Sequence, residues 1–409
     1  MLMGRINDMS FKVWIPKLRT DEKLFLFMLF LIINPISYAR IHPLVIMASV
    51  IAWGVVAYGT ASKMFSGCAV SSTFAMVSVY PILMCLYSFR SDVFFEKKSV
   101  IDCIIMLTMM FYLKRKDSVN KSSQFILLYL TVIAVYSIAA LANDPMVSRR
   151  MASNGVEYGN FLTGGYNTVY GLLYLSIAVL GISVYQKKYM ILYGLFAVFI
   201  LMSQYVTASI LLAIGSVFVV LKNNSMLRNV FLICVCACLL LVLYYPQGIV
   251  DGLFAVSDWF PQNTFQNSRM RQLGEVVSGT ISQGVIASKT AAGSIHRIDL
   301  YRITLDTIRE NPMWGAGNMS IQSIGGHATF LDMIAKYGVI CGGVYFFTKI
   351  FCLFKIIRAI PAQYRYYYRI VGILYISLGF LNAINDMMIS MIVFLAIPYL
   401  FIIEDGGHF

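Results

Sequence analysis

The sequence predicts an all-α polytopic membrane protein, with about 12 transmembrane helices and one large extramembrane loop before the tenth. Three observations predict it. Of 409 residues, 59% are hydrophobic and only 12% charged, with a mean hydropathy of +0.74, whereas soluble domains sit near half apolar and a quarter charged. Apolar runs recur along most of the chain, and a spanning helix needs roughly 20 such residues. Lys and Arg collect in short loops on one side, as the positive-inside rule requires. A water-soluble enzyme is excluded. The net charge of +13 is explained by loop orientation, so no nucleic-acid partner is expected.

The cytoplasmic N-terminal segment 1–23 is polar and carries Arg5, Lys12, Lys17, Arg19 and Lys23. It lacks the short apolar core and small-residue cleavage site of a removable signal peptide, so the first span is expected to be retained. Residues 24–246 hold nine apolar runs, at 24–39, 42–60, 69–88, 99–113, 124–142, 161–184, 190–205, 207–221 and 229–246. Residues 328–403 hold three more, at 328–356, 367–384 and 387–403, before a short cytoplasmic tail, 404–409. With the N-terminus inside, Lys63, the Lys114/Arg115/Lys116/Lys121 cluster, Lys187/Lys188, Lys222/Arg228 and the group from Lys349 to Arg369 are all cytoplasmic. The eight cysteines fall in apolar segments with no metal-ligand spacing and read as small core residues.

The large loop 247–327 breaks the charge rule and is therefore informative. It carries Arg269, Arg271, Lys289, Arg297, Arg302 and Arg309, while the earlier loop 143–160 carries Arg149 and Arg150. Long translocated loops escape the rule, but the clustering suggests an anionic ligand. Residues 297–310 place Ile298, Tyr301, Leu305 and Ile308 at helical spacing, and Asn311-Pro312 should end that amphipathic helix. Upstream, the small, polar stretch 278–294 reads as a flap.

No HExxH, paired Cys/His spacing, Gly-rich phosphate loop or nucleotide-binding domain is present; neither a metal nor another cofactor is expected. Arginine binds phosphate oxygens through a planar fork and never loses its charge. Arg149, Arg150, Arg269, Arg271, Arg297 and Arg302 are therefore candidate phosphate ligands, able to stabilise a pyrophosphate leaving group without a metal. His327 stands where the loop re-enters the membrane, followed by Asp332 and Lys336. A lone interfacial His is ordinarily structural, but an ionisable pair in the outer turns of a span marks a functional site.

The ordered series Arg297, Arg302, Asn311-Pro312, Gly315-x-Gly317, His327-x-x-Phe330-Leu331-Asp332, Ala335 and Tyr337-Gly338 resembles the C-terminal signature of the Wzy-type O-antigen and capsular polysaccharide polymerases and the related O-antigen ligases. By motif the resemblance covers about residues 297–343; by topology it covers the whole chain. It implies a fold like the GT-C glycosyltransferases and a metal-independent glycosyl transfer on the periplasmic face of a bacterial inner membrane. Undecaprenyl-pyrophosphate-linked oligosaccharide is then the donor, with membrane lipids and a chain-length regulator protein as further partners. It also implies that His327 and Asp332 are catalytic and that Arg297 and Arg302 bind pyrophosphate. Arg150, followed by Gly155, Asn160 and Asn167, loosely resembles an earlier loop with another functional arginine. One departure is Ser209-Ile210, where relatives often show Ser-Arg; Arg269 or Arg271 would then supply the charge.

Leu331-Asp332 and Tyr337-Gly338 are more similar to polymerases than to ligases, which more often have Asn after the histidine. An exporter of lipid-linked sugars is the non-enzyme alternative, but it should carry charges near the bilayer midplane. Such charges are not evident beyond Asp102. Trp259, Phe260, Phe265, Trp314, Phe330 and Tyr337 flank the basic residues, as sugar-stacking platforms or as ordinary interfacial aromatics.

Overall fold

The computed structural model describes residues 79, 80, 82, 83, 116–143, 165–203, 205–244, 246–259, 267, 271, 297–316, 328–382, 384 and 387–404. The chain divides into two compact units, Met1–Ser71 and Ser72–Phe409, and everything described below belongs to the second. Among the described residues all regular structure is helical. Among the described residues three helices are long and apolar enough to cross a membrane. The spans expected at 24–39, 42–60 and 99–113 lie outside the described residues, as does most of 69–88.

In chain order the helices are α1 (Lys116–Asn143), α2 (Tyr166–Ser183), α3 (Tyr189–Met202), α4 (Val206–Val220), α5 (Ser225–Tyr244), α6 (Pro246–Ser257), α7 (Arg297–Glu310), α8 (Thr329–Ala359) and α9 (Arg365–Leu381). They end with α10 (Met387–Met391), a π-helical stretch Ile392–Ala396 and α11 (Ile397–Glu404). At 14 and 15 residues, α3 and α4 are only about 21–23 Å long. They fall short of the roughly 30 Å apolar thickness that two full spans need.

Helix α2 is the hub. Every residue from Thr168 to Ser183 is buried, as expected of a helix that is apolar on all sides. It packs against α3, α4, α9, α10, α11 and the π stretch. Small residues permit the approach: a Cβ at Gly171 would stand 2.6 Å from Ile392 Cδ1, and one at Gly181 2.6 Å from Tyr367 Cγ. Ser176 and Ser183 satisfy their hydroxyls on the Leu172 and Leu180 carbonyls of their own helix. Helix α1 instead turns Leu128, Val132, Val135 and Tyr136 outward, a stripe that a lipid environment accommodates.

Ring contacts fix the helix directions. Tyr166 and Tyr170 at the start of α2 meet Tyr205 at the start of α4. Tyr185, just past the end of α2, meets Tyr364 and Tyr367 at the start of α9 and Lys222 beyond α4. Helices α2 and α4 therefore run one way and α9 the other. Lys222, Arg228 and Arg365 thus share one end of the bundle.

The predicted continuous span 328–356 is not observed. Helix α8 breaks at Gly338, whose φ of 70° and ψ of 177° are non-helical. A Cβ on Gly342 would collide with the Met333 carbonyl. Nine residues of straight helix would separate those positions by about 14 Å, so the segments 329–337 and 339–359 fold against each other. The second segment alone, about 31 Å long, has the length of a span.

Candidate functional site

The break in α8 is where the distant sequence elements meet. After α7, the Asn311 amide donates to the Thr307 carbonyl and the Gly315 amide to the Asn311 carbonyl, closing a tight turn over Pro312. That turn docks into the break. The Val339 amide, which cannot follow the helical pattern beyond Gly338, donates to the Pro312 carbonyl at 2.8 Å, and the Ala316 amide donates to the Ala335 carbonyl at 2.9 Å. Two backbone groups stranded by the break are thereby satisfied. The approach leaves no room for side chains: a Cβ on Gly315 would strike the Lys336 carbonyl, and one on Gly338 the Met313 carbonyl. Both glycines also have left-handed φ, +72° and +70°. Asn311-Pro312, Gly315 and Tyr337-Gly338 form one backbone clasp.

The same clasp anchors α7. Its buried side differs from the expected Tyr301/Leu305/Ile308 stripe: Leu305 is 43% exposed, while Thr304 is buried at 3%. Thr304 can be buried because its hydroxyl donates to the Leu300 carbonyl, as Thr307 does to Ile303. Tyr301 donates from its hydroxyl toward the Phe380 and Leu381 carbonyls, at 3.2 and 2.9 Å, satisfying the end of α9. Arg302 lies on the exposed side of α7, and Arg309 pairs with Asp306 at 3.4 Å.

At the start of α8, Asp332 has a defined structural task. Its Oδ2 accepts the Ala328 amide at 3.0 Å, and its own amide donates to the Ala328 carbonyl at 2.8 Å. The side-chain bond satisfies an amide that the helix start leaves unpaired, while the amide bond is the first turn of the helix itself. Together they hold the residue next to His327 while burying the carboxylate at 7% exposure. The Thr329 amide donates to the Asn382 carbonyl, and the Thr329 hydroxyl accepts the Ile384 amide at 2.6 Å. Asn382, 2% exposed, donates from Nδ2 to the Tyr170 hydroxyl at 3.3 Å. Starts of α2 and α8 and the end of α9 are thus tied by Tyr170, Thr329 and Asn382, which sequence reasoning missed. The polar run Asn382, Asn385, Asp386 after an apolar span was the available signal.

Of the residues expected to act, Asp332 is seen at the start of α8, the helix whose break forms the clasp. Arg297 is the first residue of α7. Arg271 is exposed and bound to Asp258 at 3.0 Å, a surface pair. His327, Arg149, Arg150 and Arg269 lie outside the described residues. No protein-family model and no curated sequence matches this chain. No group of three or more His, Cys, Asp or Glu side chains that could hold a metal occurs among the described residues.

Two expectations need correction. Phe330 is not a platform for sugar: it is fully buried, ringed by Tyr345, Phe346, Tyr375 and Phe380 at 4.8–6.5 Å, with its ring against Gly379. Tyr337 is likewise core, at 4% exposure, whereas Trp259 and Trp314 remain open at 80% and 46%. Second, Lys349 does not belong with the basic loop residues among which it was expected. It is wholly buried in α8, donates from Nζ to Ser390 Oγ at 3.1 Å, and lies 5.3 Å from both the Tyr345 and Phe394 rings. Being ten residues past the break, it stands about 15 Å along the helix from Val339. Sequence reasoning grouped it by charge with Lys355 and Arg358; the long apolar stems of lysines and the polarisable ring faces let such a cation enter the core.

Proposed function

We propose that this protein is a polymerase of undecaprenyl-pyrophosphate-linked oligosaccharide repeat units. In this reading it works on the periplasmic face of a bacterial inner membrane, in a twelve-span fold resembling the GT-C glycosyltransferases, with both termini cytoplasmic. The observation that carries the reading is the clasp. Elements scattered over residues 311–338, which resemble a polymerase signature only as an ordered series, are joined at one point, with the arginine-bearing α7 and the Asp332 cap attached.

Chemically, an acceptor sugar hydroxyl attacks the anomeric carbon of the donor while the bond from that carbon to the pyrophosphate oxygen breaks. His327 takes the hydroxyl proton, an imidazole being the group closest to the required pKa near neutrality. Arg297 and Arg302, with Arg149, Arg150, Arg269 and Arg271 as further candidates, neutralise the departing pyrophosphate. Asp332, already engaged by the Ala328 amide, orients the start of α8 and competes with His327 as base.

The test is a reconstituted assay with purified lipid-linked repeat units and a chelator present. We expect His327→Ala to lose on the order of a hundredfold in rate or more, and Arg302→Lys to lose about a hundredfold because a point charge does not replace the fork. Both should keep normal membrane abundance. Chelator-sensitive wild-type activity would overturn the metal-independent mechanism. In cells, loss of the protein should leave one repeat unit on the lipid core; no repeat at all would indicate a ligase. Buried Lys349 favours a second reading, an exporter of lipid-linked sugars, since intramembrane cations commonly mark transport pathways.

A further inference from the structure

The opposite end of the bundle from the clasp carries an independent feature. Lys222 is held in place there: its Nζ donates to the Tyr185 hydroxyl at 2.9 Å and the Gln363 carbonyl at 3.3 Å, and lies 4.5 Å from the Tyr367 ring centre. Arg228 lies 5.9 Å from the Tyr366 ring, and Tyr366 is itself fixed by its hydroxyl on the Phe218 carbonyl at 3.0 Å. The two rings are neighbours, 5.8 Å apart. Two half-buried cations therefore rest on adjacent tyrosines, each restrained by its own ring contact.

Their electrostatic setting is unfavourable by itself. Helices α3, α5 and α9 begin at this end, and none has an acid in its first turn. Lys188, Arg228 and Arg365 instead sit at or near those starts. A helix N-terminus repels cations, so three dipoles and a group of cations reinforce one positive potential. Arg365 directs Nε and Nη2 to the Ile360 and Arg358 carbonyls, whereas Lys222 and Arg228 are the cations at this end that rest on the faces of Tyr367 and Tyr366.

We propose that the Lys222–Arg228 notch binds the phosphate of an anionic membrane lipid. Lys222 uses two of its three N–H donors on protein partners, and the third, with the Arg228 fork, grips the phosphate oxygens. Half-buried Tyr366 lines the approach, an amphipathic ring of the kind that meets headgroups. Preordering of both cations lowers the conformational cost of binding, and anionic lipids are attracted to such juxtamembrane basic sites. A lipid supplies an acyl tail alongside the bundle that a free phosphate lacks, which is why a lipid is the favoured source.

The experiment uses the full chain purified in uncharged detergent, titrated separately with phosphatidylglycerol, phosphatidylcholine and inorganic phosphate, and read by native mass spectrometry and thermal unfolding. Phosphatidylglycerol should be retained and raise the unfolding temperature. With each cation worth about fivefold in affinity, Lys222→Gln/Arg228→Gln should weaken it about thirtyfold, whereas Lys187→Gln/Lys188→Gln should weaken it only a few-fold. If the double variant folds poorly, Arg228→Gln alone should show the fivefold loss. Equal binding by wild type and the notch variants would overturn the proposal. Equal retention of phosphatidylcholine would also overturn it, as would full competition by millimolar inorganic phosphate, which would identify a free-phosphate site.

Discussion

The two ends of the bundle hold their polar groups by different physics. Around the start of α8, positions are set by backbone hydrogen bonds and by glycines with no room for a methyl group: Pro312 to Val339, Ala335 to Ala316, Ala328 to Asp332. At the opposite end, Arg228 rests on a tyrosine face and Lys222 adds two exposed hydrogen bonds to one; the ring attraction falls off gradually with distance. Directional bonds give the sub-ångström placement that chemistry needs; ring faces give a positive surface that adapts to its ligand. The clasp end should thus be brittle to substitution and the basic end forgiving.

The largest effect should come from the clasp. Gly338→Ala forces an L side chain into a backbone region reserved almost wholly for glycine, φ 70° and ψ 177°, at about 1–3 kcal/mol, and drives its Cβ into the Met313 carbonyl. Together these should exceed about 3 kcal/mol, lowering membrane abundance and the unfolding temperature. Gly343→Ala is the matched control five residues on: its nearest neighbour is Val339 Cγ1 at 3.6 Å, ordinary contact, and stability should be unchanged. Similar behaviour of the two variants in thermal unfolding would show that the clasp is not rigid.

Next in size is Lys349, which belongs to neither end. Truncation by Lys349→Ala leaves a cavity beside Tyr345 and Phe394 and should cost roughly 2–4 kcal/mol. Lys349→Met fills that space, and replacing a buried cation by an apolar residue of similar volume is frequently neutral. The Met variant therefore separates the two functional readings. A polymerase should retain polymerisation with Met at this position; an exporter that uses the cation should lose transport while remaining folded.

Legibility in the sequence divides along similar lines. Helix α7, Arg297–Glu310, was readable because its period and its Asn-Pro stop are local. That Lys222, Arg228 and Arg365 share one end was readable because each lies in or beside a loop between apolar runs. The break in α8 was not, since nothing in the run Tyr337-Gly338-Val339 distinguishes a glycine that packs helices from one that adopts φ of +70°; the signal lies in its partner, Gly315, 23 positions away. Phe330 misled for a related reason: an aromatic beside charged residues looks like a platform, and only Gly379, brought by α9, makes it core. Asp332 was singled out by its charge, while its backbone bond to Ala328 emerges only once the helix start is placed.

That bond gives a smaller test at the clasp end. Asn keeps an oxygen able to accept the Ala328 amide, so Asp332→Asn should leave stability within about 0.5 kcal/mol, whereas Asp332→Ala removes the cap at about 1 kcal/mol. With the fold preserved, the Asn variant isolates the charge. Under the proposed polymerase reading, a partial, shortened product ladder fits a carboxylate that orients the start of α8; loss of all activity in this variant with activity kept in His327→Ala would reverse the assignment of the base.

The smallest effects set a hydroxyl at one end against an ammonium at the other, in salt. Tyr301→Phe removes the hydroxyl that meets the Phe380 and Leu381 carbonyls, a loss of about 1 kcal/mol. Both partners are uncharged, so this deficit should be the same at low and high ionic strength. Lys222→Gln removes a cation from a half-exposed ring face, worth about 0.5–1 kcal/mol, and because the interaction is electrostatic its contribution shrinks as salt shortens the screening length to about 3 Å at 1 M. Removing Lys222 also relieves repulsion from Arg228 and the dipole of α9, which works in the opposite direction and is screened by the same salt. Its net deficit should therefore lie below that of Tyr301→Phe in dilute buffer and approach zero at high salt. A salt-independent deficit for Lys222→Gln would mean that its bonds to Tyr185 and Gln363, rather than its charge, hold that end together.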